Sequence, residues 1–160
     1  EIVPIASEVE HVRNYLFIQQ LRHGEEYQYE IKIKDPDILN HYIPRLLLQP
    51  LVENAIYHGI LQADKKGKIT ITGCREGSDI YFESCDDGAG IEEEKLLHIN
   101  EVLQGVRKLE NEKKYFGLRN VNQRVKLMFG EDYGVQLTSE LGQGTIAVLR
   151  IRAIEGDMSA

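Results

Sequence analysis

Between Ile69 and Cys85 the chain spells out a β-hairpin, and no other stretch restricts the possible folds as much. Ile69 and Ile71 alternate with Thr70 and Thr72, a Gly77-Ser78 turn follows, and Asp79 to Cys85 runs back. Alternation of apolar and polar residues is the period of a half-buried strand, and Gly-Ser is turn chemistry. A strand pair joined this tightly breaks the strict βαβ order of a doubly wound parallel sheet. More strands are expected from Tyr27 to Ile33, where aromatic and aliphatic residues alternate with Gln28, Glu30 and Lys32. Two others, Val135 to Thr138 and Thr145 to Ile154, flank Gly142-Gln143-Gly144.

Helices separate these strands. Val9, Val12, Leu16 and Ile18 recur near helical spacing behind a Ser7/Glu10 capping box, and Gly24 ends the run. Pro44 is expected to open a second helix along the apolar stretch Leu46 to Ile60, kinked or restarted at Pro50. Leu118, Val121, Val125 and Met128 predict a third, closed by Gly130. Glu92 to Lys114, rich in Glu, Lys and Asn, reads as helical in its first half and as a mobile lid. The combination predicts an α+β two-layer sandwich, a mixed sheet covered on one face by helices.

The 160 residues suffice for one domain with its own core, and 42% hydrophobic residues exclude a disordered chain. A formal net charge of −7 excludes a general nucleic-acid binder, which needs a clustered excess of Lys and Arg. The apolar runs are too short or too interrupted to span a bilayer. Cys74 and Cys85 lack metal-ligand spacing and suit a reducing cytosol. The first residue is Glu1 rather than Met, from which a longer parent protein is expected.

Three polar or glycine-rich signals stand at the ends of these elements. In Leu48-Gln49-Pro50-Leu51-Val52-Glu53-Asn54-Ala55-Ile56-Tyr57-His58-Gly59, an apolar helix is interrupted by Asn54 and His58, four apart and so on one helix face. A carboxamide oxygen suits Mg²⁺, which takes the rest of its shell from water, phosphates and few protein oxygens. The alternative is a buried Asn and His that cap nearby backbone. In Ser84-Cys85-Asp86-Asp87-Gly88-Ala89-Gly90-Ile91, Gly88 and Gly90 permit positive φ and close ligand approach, and a strand-end carboxylate accepts from an exocyclic amine. Ordinary turn chemistry is the alternative here. In Tyr115-Phe116-Gly117-Leu118-Arg119-Asn120-Val121 a glycine opens a helix whose free N–H groups favour phosphate, or it is a plain helix start.

Taken in order, these segments resemble the ATP-binding fold shared by DNA gyrase, heat-shock chaperone ATPases, histidine kinases and mismatch-repair ATPases, the Bergerat-type fold. They look like its asparagine box and two glycine boxes, and Leu141-Gly142-Gln143-Gly144-Thr145 looks like its later glycine-threonine element. The wording from Gln49 to Gly59 and from Gly117 to Arg124 is most similar to sensor kinases of the LytS/YesM-like class. Arg13, Tyr15 and Leu21-Arg22 resemble the helix that joins that class's dimerisation segment to its catalytic domain.

The resemblance implies that Asn54 ligates Mg²⁺, that Asp86 accepts from the adenine amino group, and that Gly88 and Gly90 shape the adenine pocket. Thr145 would support the adenine end, His58 would lie near the phosphates, and Gly117 with Leu118 would offer them backbone N–H. Two positions depart from the pattern. Tyr115 stands where the second glycine box often has its first Gly, and Pro50 stands where gyrase-like ATPases place a water-activating Glu. Without that base the enzyme suits transfer to a protein side chain rather than to water. Glu53, the immediate neighbour of Asn54, is expected to point about 100° away.

The resemblance further implies that residues 1–24 form a helix linking to a dimerisation and phosphoacceptor domain N-terminal to Glu1, and that residues 25–160 form the catalytic domain. The partners would be that upstream domain and a response regulator, in a homodimeric bacterial protein anchored in the membrane with this domain in the cytoplasm. None of the five histidines has the phosphoacceptor setting, so the isolated chain is expected not to phosphorylate itself. Two other readings stand beside this one. One is a stand-alone anti-sigma-type Ser/Thr kinase, and the other is a nucleotide-gated interaction module without phosphotransfer.

Overall fold

The computed structural model describes residues 1–106 and 115–156, so residues 107–114 of the expected lid lie outside the described residues. A five-stranded sheet is built from β2 (Tyr27–Ile33), β4 (Gly67–Glu76), β5 (Asp79–Asp86), β6 (Gly134–Glu140) and β7 (Gly144–Arg152) in the order β2-β4-β5-β7-β6. β2 and β4 run parallel and the other pairs antiparallel, which makes the sheet mixed. The hairpin turn falls at Gly77-Ser78, with Gly77 at φ 61°, the left-handed first turn residue that suits the right-handed twist of the flanking strands.

Among the described residues four α-helices, α1 (Ile5–His23), α2 (Gln49–Asn54), α3 (Glu93–Leu103) and α4 (Phe116–Phe129), accompany the sheet. One continuous core joins Val12 and Leu16 of α1, Val52 of α2 and Val121 and Val125 of α4 to Ile69, Phe82 and Leu149 of the sheet. Each such side chain taken fully from water contributes about 1.5–3 kcal/mol. Gly24 ends α1 at φ 66° and Gly130 ends α4 at φ 110°, as their positions after the last apolar repeat required. Among the described residues no helix is long and apolar enough to cross a membrane.

The structure corrects the sequence reading in three places. α1 starts at Ile5, after Pro4, so Ser7 lies inside the helix and the capping box is not used. Pro44 closes a short strand, β3 (Tyr42–Pro44), which pairs with β1 (Ile2–Pro4) in a separate two-stranded sheet. The second helix begins only at Gln49 and not after Pro44, with Pro50 in its first turn where no N–H is missed, so of the two roles expected for Pro50 it takes the helix start and not the kink. Between the two, Leu46 adopts φ 62°, and its N–H is taken by the Glu8 carboxylate of α1 at 3.0 Å. After Asn54 the helix widens into a π-turn, Ala55–Gly59, followed by a 3-10 turn, Ile60–Gln62.

Candidate nucleotide site

At the end of β5 the chain turns inward on Asp86, which is 4% exposed. Its Oδ1 accepts the Gly88 N–H at 2.9 Å, and its carboxylate packs on Gly59, where a Cβ would overlap it. A Cβ at Gly88 would in turn overlap the Gly59 backbone, and Ala89 N–H donates to Gly59 O at 3.1 Å. Of the two glycines singled out above, only Gly90 takes positive φ, 71°, and a Cβ there would meet the Glu140 carbonyl. Gly88 is needed for close approach alone, a correction to the expectation of conformational freedom at both. Burial pushes the Asp86 carboxyl from 3.8 up to about 6, against the pull of the Gly88 and Thr145 backbone N–H groups and helped by the Asp87 charge.

Thr145 is the second residue of the return strand β7, opposite Asp86, its register partner, and is also 4% exposed. Its Oγ1 lies 2.8 Å from Ser139 Oγ, which donates to Gly144 O at 2.7 Å and accepts the Ile91 N–H at 2.8 Å. Ser139 thereby ties the end of the glycine loop to β6, together with Gly142 N–H donating to Ala89 O at 2.7 Å.

The other group gathers around α2 and the start of α4. Asn54, His58, Gly117 and Leu118 line one cavity of about 340 Å³ with Pro50, Glu53, Tyr57 and Phe116. The π-turn puts slightly less than one turn between Asn54 and His58, so both still face this space. Asn54 is 6% exposed, and its Oδ1 is buried with no hydrogen-bond partner. An unsatisfied buried carbonyl costs about 1–3 kcal/mol, which a ligand to that oxygen removes. Among the described residues no group of three or more His, Cys, Asp or Glu side chains is arranged to hold a metal. A hard cation bound at Asn54 would therefore draw its other ligands from phosphate and water.

α4 brings its first turn, with free N–H groups, to the cavity wall, and a Cβ at Gly117 would stand 3.4 Å from Pro50. Tyr115 is buried with its ring 5.2 Å from that of His58, so an aromatic contact fills the position where the resemblance has glycine. Glu53 also lines the cavity, contrary to the angle expected on a regular helix, and its Oε1 accepts from Gln49 Nε2 at 2.7 Å.

The sequence-predicted residues thus fall into two clusters, Asp86, Gly88, Gly90 and Thr145 in one and Asn54, His58, Gly117 and Leu118 in the other. Gly59 joins them, since it follows His58 and carries the Asp86 carboxylate. Gly59 and Ser139 were given no role from sequence. A glycine directly after the asparagine box was the available signal for the first, and none marked the second. A larger open cleft of about 770 Å³, lined by Gln20, Leu21, Tyr27 and Lys66 among others, contains none of the predicted site residues.

A mixed five-stranded sheet accompanied by helices, with one candidate cluster around Asp86 and another around Asn54, defines an α+β domain. The family model described as histidine kinase-, DNA gyrase B- and HSP90-like ATPase matches residues 42–155, and the chain belongs to that family. It is similar to sensor protein LytS of Bacillus cereus, 29% identical over 90% of this chain and 24% of the relative. Sensor histidine kinase BtsS of Escherichia coli is 32% identical over 94% of this chain and 24% of its own length. Sensor histidine kinase YpdA of Escherichia coli is 36% identical over 82% and 22%. The chain spans about a quarter of the length of these relatives. The catalytic domain of histidine kinase ThkA superposes with a TM-score of 0.67 at 13% identity, covering 98% of both chains. The mycobacterial sensor histidine kinase MprB gives 0.63 at 13% identity over 98% and 99%. These likenesses show the fold.

Proposed function

We propose that this chain is the ATP-binding catalytic domain of a bacterial sensor histidine kinase, which binds Mg²⁺-ATP and hands the γ-phosphate to a histidine on an upstream dimerisation domain. The observation that carries the reading is the unpartnered, buried Asn54 oxygen in a cavity shared with His58 and the first turn of α4. The names of the relatives support the kinase assignment, as does Pro50, a residue with no proton to exchange. Residues 1–24 then form the link to the acceptor domain and residues 25–160 the catalytic body. The whole protein would be a homodimer anchored in the membrane, with this domain in the cytoplasm and a response regulator as the next acceptor.

Asp86 accepts from the adenine amine, with Gly88 and Gly90 leaving room for the base and Thr145 supporting it. Gly117 and Leu118 present backbone N–H to the phosphates, His58 lies beside them, and Asn54 ligates the metal. Mg²⁺ supplies charge neutralisation of the phosphate oxygens when bound. The chain's own part is to fix the γ-phosphate so that the acceptor imidazole nitrogen meets it in line as the bond to the β-bridging oxygen breaks and ADP leaves.

Asn54→Ala tests the carrying observation. Calorimetric titration should show Mg²⁺-ATP weakened by about tenfold or more, the scale of one charge-assisted contact, with metal-free ATP little changed. Equal losses with and without Mg²⁺ would sink the metal assignment.

A further inference from the structure

We propose that Ser139 is a positioning residue that fixes Thr145 as a hydrogen-bond acceptor, so that the base pocket selects a purine with an amine rather than a carbonyl at its 6 position. This rests on the reading of the Asp86 end as the base site. The count of protons at the Ser139 hydroxyl decides which way each bond runs. A hydroxyl has one proton and two lone pairs, a carbonyl only accepts and a backbone N–H only donates. Ser139 Oγ lies 2.7 Å from Gly144 O and accepts from Ile91 N at 2.8 Å, so its single proton goes to Gly144 and one lone pair to Ile91. The remaining lone pair faces Thr145 Oγ1 at 2.8 Å, and this contact forms only if Thr145 gives its proton to Ser139.

Thr145 then has nothing left to donate and offers a ligand lone pairs alone. Its register partner is Asp86, and such cross-strand pairs stand about 4.5–5.5 Å apart, so two acceptors sit side by side in a buried corner. The two N–H bonds of an adenine amine suit two acceptors. The carbonyl that guanine carries in the same place meets two oxygens with no proton between them, the mismatch a buried polar site rejects most strongly.

Removing Ser139 frees the Thr145 proton, and Thr145 can then donate to a carbonyl. The test measures ATP and GTP affinities of the 160-residue chain by displacement of a fluorescent adenine nucleotide. Ser139→Ala should cut the ATP-over-GTP preference by about tenfold, chiefly by strengthening GTP, and Ser139→Thr should retain the preference. Thr145→Val should weaken ATP alone, and adding Ser139→Ala to it should leave the ratio where Thr145→Val put it. A parallel loss of both nucleotides in Ser139→Ala would show that the residue merely anchors Ile91, and this overturns the proposal. So does a change of ratio that persists in the Thr145→Val background. If the unaltered chain itself prefers neither nucleotide, the base-site reading fails and takes this one with it. A strong preference untouched by Ser139→Ala removes this inference alone.

Discussion

At the scale of single residues, Asp86 makes a claim about stability as well as about binding. Its carboxyl titrates at about 6 in the fold against 3.8 outside it, so the native state holds the proton more tightly. The stabilisation from that proton is full below about 3.8 and is lost as pH rises through about 6, a contribution of about 3 kcal/mol at 1.36 kcal/mol per unit. Asp86→Asn should flatten that part of the stability curve, read by thermal melts from pH 4 to 8, and raise stability at pH 7 by about 1–2 kcal/mol. ATP affinity of the unaltered chain should fall as pH drops below 6, since a protonated carboxyl is a poorer acceptor. Gly88→Ala puts a methyl into the Gly59 backbone and should cost about 2–3 kcal/mol, visible as a lower midpoint in urea. Asp86 and Asn54 could be read from sequence because polar residues beside glycines or inside an apolar helix advertise themselves. Ser139 could not, because its three partners are brought to it by the β6–β7 register and the glycine loop rather than by a local pattern.

At the scale of elements, all five strands of the main sheet followed from alternation and turn residues, since a period of two with a tight turn has few other solutions. The asparagine-box helix was harder. Pro44 and Pro50 carry the same local signal, and what separates them is distant: β1 claims residues 42–44 as a strand partner, leaving Pro50 to start the helix. The π-turn is equally non-local. Tyr57, in its middle, donates to Gln19 of α1 at 2.9 Å and stands T-shaped to the His23 ring, with centroids 6.0 Å apart, while its carbonyl takes the Gln62 side chain at 3.1 Å. Farther along the same interface His11 meets Gln49. α1 is therefore fastened to α2 and the π-turn by polar contacts as well as by its apolar face. Tyr57→Phe and Gln19→Met should each destabilise by about 1 kcal/mol and the double variant by little more than either, the coupling expected for one shared bond. Additive losses in chemical denaturation would show that the two side chains act separately.

At the scale of the whole molecule, the division of labour proposed above predicts that the 160-residue chain binds ATP without labelling itself. A version extended N-terminally through the acceptor helices should form acid-labile phosphohistidine under the same radiolabelled ATP. Stable labelling of the short chain would place the acceptor within it, and rapid phosphate release would turn attention to Glu53, the one carboxylate among the described residues that line the Asn54 cavity, as a water-orienting base. The small β1–β3 sheet has a mechanical meaning. Ile2, Val3 and Pro4 pair with residues 42–44, and Tyr42 N–H also bonds Ile154 O at 3.0 Å, so both ends of the described chain are tied to one short strand. A pull applied between residues 2 and 154 is carried across β3 by the β1 pairing on one side and the Ile154 contact on the other. From β3 the chain leads within a few residues into α2, and Arg45, just after it, is held by Arg124 of α4 at 2.8 Å, so tension reaches the Asn54 cavity through α2 and α4 as well as through α1.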